Sequence, residues 1–245
     1  ILIPQNGDIK SLYECIDKCL EMGRIFIADP ILDPINYGFT DSILRYKELR
    51  DKYPDIHIMM GTGNVTELTH ADTTGITMTL MGIISELKIN HILTTEVSNH
   101  CKSVVKENDI ARRIILAAHD NNTTPKHIDS ALLTTHDADS FKYSTDEIRE
   151  LADNVRDKNY RIMISEDGIH IFNKNGIKIA IDPFDLYESI DVEGDLGHAF
   201  YLGIELARAQ IAYQLGKDYE QDEELKWGCL VAVSYTHLRA HETLG

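Results

Sequence analysis

Three polar stretches of this 245-residue chain each follow a short apolar run, and each carries a side chain suited to reading the edge of a heterocycle. They are Asp29 in "RIFIADP", Asn64 in "GTGNVTE" and Glu96 in "TTEVSNH". A carboxylate accepts two N–H donors from a guanidine-like ring edge, and a carboxamide donates and accepts at once. Gly61 and Gly63 beside Asn64 allow the backbone to approach a flat ligand closely. A tight turn accounts for those glycines but not for Asn64, Thr66 and Glu67 next to them. Each residue also has a plainer reading: Asp29 as a turn residue before Pro30, Asn64 as a left-handed turn residue, Glu96 as a cap for the segment that follows. Asp33, which also precedes a proline, competes with Asp29, and His100 and Lys102 offer contacts for a phosphate or carboxylate.

Such residues work together only if their strands end on one side. The pattern predicts short strands opening at "ILIP" and near Ile25, Ile56 and Ile92, apolar on both faces as parallel strands covered by helices are. Between them come helical patterns: "IKSLYECIDKCLEMG" with a stop at Gly23, "TDSILRYKELRDKYP" capped by Thr40 or Asp41, "DTTGITMTLMGIISELKI" and "KENDIARRIILAAHD". Parallel strands joined by helices form a doubly wound sheet or a (β/α)8 barrel. With no glycine-rich dinucleotide loop, the barrel is favoured, and its loops at the carboxyl ends of the strands form the active site. A complete barrel needs about 250 residues and this alternation spans about 120, so residues 1–124 read as the second half of a TIM barrel. His57 and His91 begin strands at the opposite end, where stability is the usual role.

From residue 125 the pattern changes to a smaller α+β module, 125–232. "STDEIRELADNVRDKN" is a helix with Ser144 or Thr145 at its start and Glu147 close behind. Asp167-Gly168 and Asn175-Gly176 mark two hairpin turns among three short antiparallel strands. A long helix, "GDLGHAFYLGIELARAQIAYQLGKDY", follows, with His198 packing on one face and Trp227 beyond it as a packing anchor. Residues 233–245, "VSYTHLRAHETLG", read as a non-native tail resembling a translated sequencing adapter. Its His237 and His241 are set aside for that reason.

Apolar content of 43% and charged content of 26% are ordinary for a globular protein. A formal charge of −16 opposes a general nucleic-acid or acidic-membrane surface. No apolar run approaches the ~20 residues that cross a bilayer, and no signal peptide is visible. Cys15 and Cys19, one helical turn apart, suit one buried helix face and match no zinc or redox motif, which predicts a reducing cytoplasm and no metal. The opening "ILIPQNGD", without an initiator Met, begins as if inside a strand and suggests a fragment.

"ADPILDPI" and "MMGTGNVTE" resemble the pterin-binding family that contains dihydropteroate synthases and methyltetrahydrofolate-dependent methyltransferases. In that family an Asp-Pro ends the sixth barrel strand and its Asp binds the pterin, which implies that role for Asp29. The next strand ends in a glycine and a polar motif, matched here by Gly61 and by Asn64 in the position of the methyltransferases' pterin-bonding Asn. The order of the segment is similar to an archaeal group related to dihydropteroate synthase, found in methanogens, whose pterin is tetrahydromethanopterin. The long C-terminal helix is similar to that group's and, more faintly, to a subunit of a tetrahydromethanopterin-linked methyltransferase. The chain departs from true synthases in lacking their Ser-Arg-Lys motif and in carrying "TTEVSNH" where they have an Arg-His pair. The resemblance implies a reduced pterin, dihydropterin or tetrahydromethanopterin in type, held by Asp29, Gly61 and Asn64, with Glu96 at the next strand end. It implies a transferase joining a dihydropterin to an arylamine. A methyltransferase with a corrinoid partner and a non-catalytic pterin-binding protein are the alternatives, and a homodimer is allowed.

Overall fold

Local signals build the helices of the first half. In the computed structural model, which describes residues 1–192 and 194–231, helix α1 (Ile9–Glu21) begins where Asp8 accepts the Lys10 N–H and ends before Gly23 at φ 60°. Leu12 and Ile16, one turn apart, make its fully buried stripe, with Tyr13 beside them. Cys15 and Cys19 were expected on that stripe; Cys15 is exposed and Cys19 half-buried, because the larger apolar residues take the inward positions. Helix α2 (Phe39–Lys52) starts one residue before the expected Thr40 or Asp41 cap. Its N-cap is Gly38 at φ 100°, a conformation glycine adopts without strain.

The apolar runs between helices line up in parallel and in chain order. Leu2 bridges Ala28, Ala28 bridges Ile58, and strand β1 (Met59–Gly61) pairs with strand β2 (His91–Leu93). The strand expected over 25–29 is reduced to the single bridge at Ala28, with Ile25 fully exposed. The segment around Ala28 is nonetheless bonded on both sides, through the Asp29 N–H to the Leu2 carbonyl and the Ala28 N–H to the His57 carbonyl. The expectation of strands apolar and covered on both faces holds for Met59 and Met60. It fails at β2, which pairs on one side only among the described residues and leaves Leu93 exposed. The single turn α3 (Gly63–Thr66) follows β1, and helices α4 (Thr73–Glu86) and α5 (Val104–Asp120) pack on each other. Between those two helices the fully buried Glu107 carboxylate accepts hydroxyl protons from Thr73, Thr77 and Ser103 at 2.7–3.0 Å. Leu12, Ile16, Tyr46, Leu49, Ile58 and Met60 centre the core of this first compact unit, Ile1–Leu132.

The second unit begins at Leu133. Helix α6 (Thr145–Asp153) has the full reciprocal capping box between Ser144 and Glu147. Strands β3 (Arg161–Ser165), β4 (Gly168–Asn173) and β5 (Gly176–Ala180) form an antiparallel sheet in chain order, turning at the two predicted Asp-Gly and Asn-Gly pairs. Gly168 is irreplaceable in kind: at φ 141°, a Cβ there would lie 2.8 Å from the Ala180 carbonyl oxygen. Helix α7 (Leu196–Leu215) is capped by Asp195 and ended by Gly216 at φ 61°. β4 is buried along its whole length. Ile169 and Ile171 pack with Leu202 and Leu206 of α7, while Phe172 packs with Ile148 of α6. Among the described residues no helix is long and apolar enough to cross a membrane. The tail 233–245 lies outside the described residues. The chain is thus mixed α/β, with two small sheets among the described residues.

Candidate functional site

Asp29, Asn64 and Glu96 all follow the carboxyl ends of parallel segments, so they share one edge of the first unit's array. Asp29 is 8% exposed, and its Oδ1 accepts from the Tyr46 hydroxyl at 2.8 Å and the Ile31 N–H at 2.8 Å. Its Oδ2 accepts no hydrogen bond among the described residues. Burial raises the Asp29 pKa, and those two bonds only partly offset the rise. Burial followed by the Asp29 charge pushes the fully buried Tyr46 hydroxyl far above its ordinary value, so it stays a donor. The Gly61 backbone amide lies against the same hydroxyl. Tyr46, which reads in the sequence as a helix residue only, therefore ties Asp29 to α2.

The loop after Asp29 is held in a costly shape. Ile31 sits at φ 66°, a left-handed conformation that a β-branched residue avoids. Arg45 from α2 fastens it, donating to the Pro30 carbonyl at 3.3 Å, the Ile31 carbonyl at 2.9 Å and Asp33 Oδ2 at 2.6 Å. Asp33 is thereby committed to an ion pair with Arg45, whereas Asp29 keeps a free oxygen. The Asn64 amide donates from Nδ2 to the Leu32 carbonyl at 2.8 Å. A carbonyl demands a donor, so this bond assigns the amide orientation and leaves Asn64 Oδ1 free as an acceptor. Asp29, Gly61 and Asn64 are thus gathered around one loop.

Glu96 is not drawn into that group. Its exposed carboxylate accepts the Val105 N–H at 2.9 Å in the first turn of α5. The carboxylate that organises the third loop is Glu67. It accepts from the Thr95 hydroxyl at 2.9 Å, the Val97 N–H at 2.8 Å and the Ser98 N–H at 2.9 Å. The Ser98 side chain first, then these backbone donors, hold its pKa down at about 2. Only its place in "TGNVTELTH" could have signalled it. Thr94, just past β2, has a buried hydroxyl with no hydrogen-bond partner among the described residues. His100 bonds the Thr66 carbonyl through Nε2 at 3.1 Å, and Lys102 stays exposed. Burial first, then the Glu67 charge, pushes the Cys101 thiol up to about 11, which removes it as a nucleophile at neutral pH. The edge as a whole is rich in fixed acceptors, which is the chemistry of a site for a ligand rich in N–H donors.

No protein-family model matches the chain, and no solved structure matches it. Over 257 aligned residues it is 32% identical to an uncharacterized protein of the archaeon Methanocaldococcus jannaschii. The alignment takes in 90% of this chain and 46% of that protein, so the chain spans about half the length of this relative.

Proposed function

We propose that the acceptor-rich edge of the first unit binds a reduced pterin, that this unit is a half-barrel of the pterin-binding type, and that the protein is a dihydropteroate synthase-like transferase of tetrahydromethanopterin (folate-like) biosynthesis. One observation carries the reading: two immobilised oxygens without partners, Asp29 Oδ2 and Asn64 Oδ1, stand on one loop system. A pterin presents an amino group and a ring N–H on one edge, which suits the carboxylate. A reduced ring adds N–H groups at positions where an oxidised ring offers only lone pairs, which suits the amide oxygen. The chain-order parallel array supports the half-barrel reading, and the buried, unpaired Thr94 hydroxyl adds one further polar group at the same edge. Joining a pterin to an arylamine requires positioning of the amine and stabilisation of the departing anion more than proton transfer. A free Asn64 Oδ1 also suits a protonated ring nitrogen in methyl transfer to a corrinoid partner, the second reading of the same atom.

Calorimetry with tetrahydro-, dihydro- and fully oxidised pterins tests the proposal. Reduced forms should bind in preference to the oxidised one. Asp29→Asn should weaken binding about 30- to 150-fold, the loss of one charge-assisted pair worth roughly 2–3 kcal/mol. Asn64→Ala should cost roughly 1–2 kcal/mol, since its bonds are neutral. Absence of binding to every pterin, or an Asp29→Asn protein that binds as well as the parent, overturns it.

A further inference from the structure

At the other end of the same array, two histidines face each other. His57 lies two residues before β1 and His91 opens β2, and their ring nitrogens Nδ1 and Nε2 stand 3.2 Å apart. The pair is open to solvent. Its backbone is not free to spread: the His57 carbonyl accepts the Ala28 N–H, and the Ile58 carbonyl accepts both the Asn90 and His91 N–H groups. The Asn90 side chain returns a bond to the Ile58 N–H at 3.1 Å.

We propose that His57 and His91 form a binding site for a divalent transition metal of the zinc, nickel or copper kind. Two imidazole nitrogens at about 2.0–2.1 Å from a tetrahedral ion stand about 3.3–3.4 Å apart, so the observed separation is the bite of a chelate within about 0.2 Å. Imidazole is the preferred neutral ligand for these ions. The proton balance is simple. Without metal, one of the two facing nitrogens carries a hydrogen. On coordination that hydrogen moves to the far nitrogen of its own ring, leaving His57 protonated at Nε2 and His91 at Nδ1. Arg50 bonds the Ile56 carbonyl and the Asn90 side chain, in residues next to the pair in the sequence, and the Asp55 charge acts on Arg50. The chain's net charge of −16 favours a cation overall. Among the described residues no group of three or more His, Cys, Asp or Glu side chains is arranged for a metal, so water completes this shell and the ion exchanges readily. Such an ion ties two neighbouring parallel strands together at the end away from the acceptor-rich edge. The inference stands apart from the pterin reading.

The test is calorimetric titration of the full chain with zinc chloride and nickel chloride in a weakly coordinating buffer, in a His237→Asn, His241→Asn background that removes the histidines spaced i, i+4 in the sequence. One metal per chain is expected. His57→Gln and His91→Gln should each weaken it at least tenfold, and the double variant no further than the weaker single. Nitrogen NMR should show the metal on Nδ1 of His57 and Nε2 of His91, and zinc should raise the thermal midpoint of the parent but not of either variant. No binding in the background protein, or binding that survives His57→Gln undiminished, overturns the site; both residues are accessible, so the variants are expected to fold.

Discussion

Asp29 is a poor choice for stability, and under the proposed pterin reading it is the residue that recognises the ligand. Burial raises its pKa, so between the ordinary carboxylate value and the raised one the folded state holds more protons than the unfolded state. Stability therefore falls as pH rises through that window, and the loss persists at neutral pH. An asparagine keeps an oxygen for Tyr46 and Ile31 without the buried charge. Asp29→Asn is thus expected to melt at or above the parent's midpoint at pH 7 while losing pterin affinity, a separation that calorimetry with and without ligand reads directly. A large drop in midpoint would mark Asp29 as a structural residue. The strained Ile31 and its Arg45 clamp belong to the same pattern, since a left-handed β-branched residue persists only where its surroundings over-determine it.

The elements owe their ends to a few capping contacts. In α6 the Ser144 hydroxyl accepts the Glu147 N–H at 3.3 Å, and the Glu147 carboxylate returns a bond to the Ser144 N–H at 2.8 Å. Ser144→Ala is expected to destabilise the second unit by about 1 kcal/mol. Urea denaturation should show this as a lower midpoint with an unchanged slope, because the surface exposed on unfolding stays the same. An unchanged midpoint would mean that packing of Ile148 alone sets the helix. In the first unit the equivalent economy is at α4 and α5, where three hydroxyls rather than a cation accommodate the buried Glu107.

At the scale of the whole molecule, the two units carry different pH liabilities. His170 in β4 is fully buried, its Nε2 is 2.7 Å from the Ser165 hydroxyl, and its Nδ1 has no partner among the described residues. Burial first of all lowers its pKa, so the folded state keeps it neutral. The stability this represents is complete above the unfolded value near 6.5 and is lost as pH falls below it, because the unfolded chain then takes up a proton that the folded one refuses. The chain's single tryptophan, Trp227, lies in the second unit under the Lys217 ammonium, 4.8 Å from the ring centre. Its fluorescence should report a lower thermal midpoint at pH 5.5 than at pH 7.5, and His170→Gln should shrink that difference. An equal difference in the variant would assign the acid sensitivity elsewhere.

Much of the secondary structure is legible in neighbouring residues. Ser144 announces a helix start, Gly23 announces an end, and Asp167-Gly168 and Asn175-Gly176 announce the hairpins, whereas the long helix expected over 194–219 starts only after Asp195 and stops at Gly216. These signals act over a few residues through backbone sterics and short-range hydrogen bonds, so they survive whatever the rest of the chain does. The order of the parallel segments is legible too, from alternation with helices. What packing alone decided are the partners across long stretches of chain. Tyr46 reaches Asp29 from 17 residues away, Glu67 holds Val97 and Ser98 across 30 and 31, and His57 meets His91 across 34. Glu96 and Glu67 are both acids in polar loops, and nothing local separates the one that caps α5 from the one that shapes the loop. Local propensity sets which residues lie on a strand end; only the closure of the core brings two such ends within the 3 Å over which a hydrogen bond acts.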